Sequence, residues 1–349
     1  MKEGYRLLGD FIQPVDERNR DLKVDYLLGV SISKQFIPSI ANIVGTDLSS
    51  YKIVRTGQFA YGPVTSRNGE KISIALLQDK DCIISSSYTV FEVTDNERLD
   101  PEYLMLWFSR PEFDRYTRYM SHGSVREIFD WDELCKVELP VPSIEKQRGI
   151  VKAYNTITDR IELKRQINDN LEAVLAASHS KMFFSMDTSE HSKLGELMTF
   201  GNGKSRPKTD GPIPVYGGNG VLSYTDHHNI ENAVLIGRVG AYCGSVYLEQ
   251  GICWVSDNAI FAKSKITKDE FFDYFLLKRL NLFNHHVGTG QQLLTQEILN
   301  NIEVPKPVTE QIELFNRKAA SVFETLFTNS REIIRLQELS DLLLSRLAG

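Results

Sequence analysis

Two stretches of this chain carry apolar residues at alternating four- and three-residue spacings, the period of a helix that buries one face. In the second the stripe runs Phe315, Ala319, Val322, Leu326, Asn329, Ile333, Leu336, Ser340, Leu343, Leu347, interrupted only by Asn329 and Ser340. The first runs Ile150, Tyr154, Ile157, Ile161, Lys164, Asn168, Leu171, Leu175, Ser178, Met182, with Lys164, Asn168 and Ser178 as its polar members. Neither stretch contains proline, nor glycine after Gly149. At about 1.5 Å per residue, roughly 40 residues make a helix about 60 Å long. A helix of that length outruns any ordinary domain, so its stripe needs another long helix to cover it. Polar residues in such a seam weaken it but restrict its register.

The stripes belong to an internal repeat. A shift of 165 positions, with no gap, lays Gly123 on Gly288, Leu134 on Leu299, Glu138 on Glu303, Pro140 on Pro305, Pro142 on Pro307 and Glu145 on Glu310. The segments CKVELPVPSIEKQ and LNNIEVPKPVTEQ are each an extended apolar run that ends in Pro-x-Pro and then starts a helix. Proline excludes helix before the boundary. Ser143 and Thr309 are the expected N-caps, and Glu145 and Glu310 suit the first turn.

Ahead of each helix lies a mixed region. Residues 1–142 combine β-rich runs (YKIVRTGQFAYG, KISIALL, CIISSSYTVFEV) with an expected helix over PEYLMLWFSRPEFDRYTRYM. Residues 186–307 repeat the order, with strands in NAVLIGRVGAYCGSVYL and GICWVSDNAIFAKS and a helix in DEFFDYFLLKRLNLFNHH. The expected architecture is α+β: one domain over 1–142, a long helix over 143–185, a second domain over 186–307 and a second long helix over 308–349, the two helices pairing as an antiparallel coiled coil.

Composition narrows the function. Forty basic against forty-six acidic side chains give a formal charge of −6, which argues against a broad basic surface gripping DNA without regard to sequence. No run approaches the roughly 18 apolar residues of a membrane helix, and Met1 to Asp10 lacks an apolar core with a cleavage site, so a cytoplasmic protein is expected. Cys82, Cys135, Cys243 and Cys253 form no CxxC pair and read as reduced thiols. FGNGKS fails as a phosphate loop because Met198 stands where that motif needs glycine. A methyltransferase cofactor loop and its Asn/Asp-Pro-Pro-aromatic tetrapeptide are both missing. The adjacent pairs His227, His228 and His285, His286 would point to opposite faces of a strand and do not suit one metal. No local signature supports a Ser or Cys nucleophile, so no catalytic residue and no metal site are expected.

A duplicated scaffold with divergent loops implies two related tasks on different targets, which suits two-part DNA recognition. GDFIQPVDERN, SSYKIVRTGQFAYGPVTSRNGEKISIA, CIISSSYTVFEV and LPVPSIEKQRGIV resemble the first half of a type I restriction-modification specificity (S) subunit. PIPVYGGNGVLSYT, VLIGRVGAYCGSVY, WVSDNAIFA and VGTGQQLLT resemble its second target-recognition domain. The resemblance implies a non-catalytic subunit that reads a split sequence in double-stranded DNA, one half per domain, and docks two methyltransferase subunits and, in the larger complex, restriction subunits. S-adenosylmethionine, magnesium and ATP would sit on those partners. The alternatives are a scaffold that binds protein rather than DNA, and the specificity part of a related system whose partner both cuts and methylates.

Base readout draws on Arg or Lys for guanine and Asn or Gln for adenine, while Lys, Ser and Thr reach phosphates. The candidates in the first domain are Tyr61, Thr65, Ser66, Arg67, Asn68 and Lys71, with Ser124 and Arg126. In the second they are Lys204, Ser205, Arg206, Lys208, Tyr216, Asn219, Tyr224 and Arg238, with Thr289, Gln291 and Gln292 in a glycine turn. Gly217, Gly218 and Gly220 shape a turn that lets backbone approach phosphate. The plainer reading of each is a solvated loop residue.

Overall fold

A computed structural model of the chain describes residues 4–39, 45–66, 68–69, 71–123, 127–184, 190–288 and 290–347. Its helices are α1 (Pro101–Phe108), α2 (Pro111–Met120), α3 (Trp131–Cys135), α4 (Ile144–Phe184), α5 (Leu194–Leu197), α6 (Phe271–Arg279), α7 (Gln296–Asn301) and α8 (Thr309–Arg346). The chain divides into two compact units, residues 1–163 with 333–349, and residues 164–332.

The first unit is built on a four-stranded antiparallel sheet in the order Ile12–Val15, Thr89–Val93, Phe59–Tyr61, Ile74–Leu76. Alternation along the strands supplies two cores. Phe59, Tyr61, Ile74 and Phe91 face α1, where Tyr103, Leu104 and Phe108 are buried. Ala60, Ala75 and Val90 face the smaller strands Leu28–Val30 and Cys82–Ile84. The expected single helix over residues 101–120 is broken into α1 and α2. Pro111 has no N–H to continue a helix and restricts Arg110 to extended backbone (φ −72°, ψ 139°), so the chain turns there and restarts.

The second unit holds a six-stranded sheet in the order Met198–Asn202, Ala259–Ser264, Ile230–Gly237, Val246–Val255, Ile213–Gly217, Gly220–Thr225. Its neighbours are antiparallel except for the parallel pairing of Ile213–Gly217 with Val246–Val255. The apolar run of Ile230–Gly237 is covered on both faces, by Val234 and Ile236 in the main core and by Ala233 and Leu235 in a smaller one. The helix expected over residues 269–286 ends at Arg279. Asn281 takes a left-handed conformation (φ 46°) and a 3-10 turn follows over Leu282–His285.

Both units close in the same way. In the first, Tyr5–Leu7 pairs antiparallel with the Pro-x-Pro strand Glu138–Pro140, and in the second His191–Lys193 pairs with Glu303–Pro305. The next amide reaches back in each, Leu8 N–H to the Val137 carbonyl at 2.8 Å and Leu194 N–H to the Ile302 carbonyl at 2.9 Å. A buried amide then ties each long helix to its unit. Gln147 on α4 accepts from Asp100 N–H and donates to the Arg98 and Pro142 carbonyls. Asn316 on α8 accepts from Phe272 N–H and donates to the Asp269 carbonyl and to Thr267.

Ser143 caps α4, its hydroxyl accepting from Lys146 N–H at 3.4 Å. Thr309 instead lies inside α8, and Val308 takes the capping position without a side-chain acceptor; its carbonyl receives Ile312 N–H at 3.2 Å. Within the second unit the helices run antiparallel. Lys164 donates to Asn329 at 2.9 Å and pairs with Glu332 at 2.8 Å, while farther along α4 the His179 ring lies 5.3 Å from Phe315. Asn329 also donates to Asn168 at 2.8 Å. Within the first unit Val151 shares a core with Leu344 and Leu347. The expected stripe holds to Leu175 and then slides by one residue. His179 and Phe183 are buried there while Ser178 is exposed, because α4 at that point packs against α6 and the start of α8.

Asp273 on α6 is 3% exposed, and its Oδ2 has no hydrogen-bond partner. Burial, reinforced by nearby Glu270, pushes its carboxyl up to about 7. An acid whose folded-state value exceeds its unfolded one keeps its proton in the fold. Its stabilising contribution is therefore full below about pH 4 and is lost as pH rises through about 7. Asp273→Asn should leave stability near pH 4 almost unchanged and raise it at pH 8 by on the order of 2–4 kcal/mol, read from urea midpoints at the two pH values.

Candidate nucleic-acid interface

The two units present their loops through a matching backbone latch. In the first, His122 and Ile128 exchange hydrogen bonds of 3.1 and 3.0 Å, with Gly123 next to the pair, and Ile128 bridges to Val64. Thr65 N–H then donates to the Glu127 carbonyl at 3.0 Å and Phe129 N–H to the Pro63 carbonyl at 2.9 Å. In the second, Val287 and Leu293 exchange bonds of 2.9 and 3.0 Å, and Leu293 bridges to Val239. Gly240 N–H donates to the Gln292 carbonyl at 3.1 Å and Leu294 N–H to the Arg238 carbonyl at 2.9 Å. Gly123 (φ 143°) and Gly288 (φ 95°), the residues next to these pairs, both have backbone that favours glycine. Behind each latch a glycine at or just past a strand end donates to a serine carbonyl, Gly62 to Ser73 at 2.9 Å and Gly237 to Ser245 at 2.8 Å.

In the second unit this frame gathers several of the candidates. Arg238 N–H donates to the Asn258 carbonyl, and Gly218, beside Asn219, lies against Tyr242, Asn258 and Gly237. Lys204 joins the same end, since its N–H donates to the Val255 carbonyl and its backbone bridges to Ser256. Lys204, Asn219, Arg238 and Gln292 therefore meet around one cluster of turns. Gln291 is exposed in the same glycine turn. Arg238 is half-buried, with its Nε enclosed and unpartnered. Ser205, Arg206 and Lys208 are exposed, but the basic segment leads away, with Thr209 bonded to Thr225 and Gly211 packed on the Thr225–Asp226 backbone. Tyr224, 57% exposed, stands opposite Pro214 near that far end and does not join the cluster. Lys204, Arg206 and Lys208 form no ion pair among the described residues, unlike Arg148, Lys278 and Lys306, which meet Glu97, Glu172 and Glu190.

Three candidates are corrected by their surroundings. Tyr61 is fully buried between the sheet and α1, because its place in the strand turns it to the apolar face, and burial raises its pKa. Thr65 is 2% exposed, its hydroxyl donating to Ser121 and to the Glu127 carbonyl. Tyr216 is half-buried and donates to Glu249 at 3.0 Å; burial and that carboxylate raise its pKa. These side chains hold the frame. Ser66 and Lys71 are exposed and Asn68 partly so. Arg67, Ser124, Arg126 and Thr289 lie outside the described residues.

Tyr242, 50% exposed, and the exposed Asn258 belong to the second cluster but were not expected there. Asn258 sits in a segment that reads as strand, and only its bond to Arg238 reveals the turn. Among the described residues no three His, Cys, Asp or Glu side chains are placed to hold a metal, and no helix is long and apolar enough to cross a membrane. The four cysteines are free thiols, and burial pushes those of Cys82 and Cys253 up to about 12.

Exchanging Lys204, Arg206 and Lys208 together for Ala should flatten the dependence of log affinity for DNA on log salt by up to about 3, near 0.9 for each phosphate that the variant no longer neutralises. Tyr61→Phe should leave both that affinity and the salt dependence unchanged, because the ring lies in the core. Binding titrations across a salt series check both variants.

Comparison with known proteins bears on what these loops meet. The family model for the type I restriction modification DNA specificity domain matches residues 39–173 and again 186–342. The specificity subunit of the type I restriction enzyme HindI from Haemophilus influenzae is 26% identical over 154 residues, 42% of this chain and 32% of that protein, so the match spans about a third of the relative's length. The crystal structure of the S subunit of a type I restriction-modification system from M. genitalium aligns over 99% of this chain and 96% of its own with a TM-score of 0.65 at 16% identity, a likeness of fold.

Proposed function

The chain belongs to the type I restriction modification DNA specificity family, and from that premise we propose that it selects the DNA sequence on which partner subunits act. Residues 1–142 read one short half of a split target and residues 186–307 the other. The observation that carries this reading is the latch built twice, at Val64–Ile128 and Val239–Leu293, around loops of unlike sequence. A frame held constant while its loops differ serves two targets of one chemical kind. In the second unit the turns cluster Lys204, Asn219, Arg238 and Gln292, the residue types that suit phosphates, adenine and guanine. The enclosed Nε of Arg238 is a donor that a bound acceptor would satisfy.

The chain itself is non-catalytic in this reading. Methyl transfer belongs to two methyltransferase subunits and cleavage to restriction subunits, with S-adenosylmethionine, magnesium and ATP bound there, all in the cytoplasm. The long helices dock these partners and set the distance between the half-sites. A formal charge of −6 fits a reader that confines its cations to a few loops and gains much of its affinity from the assembled complex.

Replacing residues 1–142 with the matching segment of a relative of different target should change one half of the methylated sequence and leave the other intact. Mapping methylated adenines in cells that carry the hybrid and its methyltransferase reads this out. A change in both halves, or in neither, would contradict it.

A further inference from the structure

The crevice beside the first latch differs from its counterpart. At Gly237 in the second unit an added Cβ would collide with the Tyr242 and Gly218 carbonyl oxygens, so backbone fills that space. At the equivalent Gly62 an added Cβ would meet only side chains, those of Ser73 and Tyr88. A crevice of about 380 Å³ opens here, lined by Val30, Ile32, Val64, Asn68, Ser73 and Tyr88 among others. One wall is the hairpin that joins Leu28–Val30 to Phe36–Pro38, with Ile32 46% exposed near its tip. The other wall is the candidate loop that carries Asn68.

Both walls are pinned to one carboxylate. Lys34, at the hairpin turn, pairs with Asp114 at 2.8 Å and also donates to the Phe108 carbonyl; the same Asp114 oxygen accepts Ile72 N–H at 3.2 Å where the loop returns. The lysine and aspartate side chains are 8% and 12% exposed, so the crevice is held open by a nearly dry ion pair. An exposed isoleucine facing a half-exposed asparagine across a fixed gap matches the major-groove edge of one base pair. Thymine offers a methyl group to apolar contact, and its partner adenine offers N6 and N7 to an amide.

We infer that this crevice reads an A·T base pair, Ile32 with Val64 meeting the thymine methyl and Asn68 the adenine. The inference rests on the DNA-reading function proposed above and names bases within one half-site. Asn68 gives up only a 3.4 Å bond to the Val64 carbonyl to do so.

The test takes duplexes selected from a randomised pool by the full chain assembled with its methyltransferase subunits and replaces each thymine in turn by uracil, which removes only the methyl. At one position of a single half-site, uracil should weaken binding by the wild-type chain about fourfold, the effect of one buried methyl. Ile32→Ala should abolish that penalty, Ile32→Val should retain most of it, and Asn68→Ala should reduce the preference for the paired adenine roughly tenfold. The other half-site should be unaffected. A wild-type chain that selects a split sequence yet tolerates uracil throughout this half, or an Ile32→Ala chain with the full penalty, would overturn the inference and leave the reading function standing. A wild-type chain that selects no sequence would remove that function and the inference together.

Discussion

Two helices of 41 and 38 residues, each with an apolar stripe, stand in water only if the stripes are covered, and this requirement organises the chain. The cover is mutual and antiparallel, with one polar layer set into it. Lys164 is held by Asn329 and Glu332, and Asn329 by Asn168. Lys164 and Asn329 are 165 residues apart, the interval of the repeat, so equivalent positions of the two copies touch each other. A shift by one turn would leave a buried ammonium and an amide without partners, which makes other registers costly.

From the helices the order passes to the loops through short, repeated connections. The Pro-x-Pro strand clasps the first strand of each unit, and a buried amide, Gln147 or Asn316, receives the backbone at or just inside the start of α1 or α6. The segment ahead of that strand is then latched to the end of a sheet strand, mainly by backbone bonds. Because the latch rests chiefly on backbone bonds, with the Thr65 hydroxyl added in the first unit, the loops it holds are free to differ. Glu127 and Gln292 occupy the same place in the two latches with different chemistry.

The repeat, the helices and the glycine turns were legible in the sequence because they depend on periodicity, proline and positive φ, all local properties. The other half of the latch was not. Its strands, at Val64 and Val239, are 175 residues apart, and the interval of 165 misses the match because the two sheets differ in loop length. Tyr61 reads as a loop aromatic, yet it lies in a strand whose inward face is set by Phe59 two residues before it. The hairpin holding Ile32 carries no local signal in the sequence, since its anchor, Lys34 on Asp114, joins residues 80 positions apart. In the second unit the expected base readers separate into those near Asn258 and those near Thr225, a division made by hairpin geometry and invisible to composition.

In the proposed function, paired helices fix the distance between two DNA readers. Inserting one heptad into α4 and one into α8 at matching points of the seam, then mapping methylated adenines with the partner methyltransferase, tests it most directly. Seven helical residues add about 10 Å, equivalent to about three base pairs. The unspecified gap between half-sites should lengthen by about that amount while the bases of each half stay the same. An unchanged gap with methylation intact would contradict it.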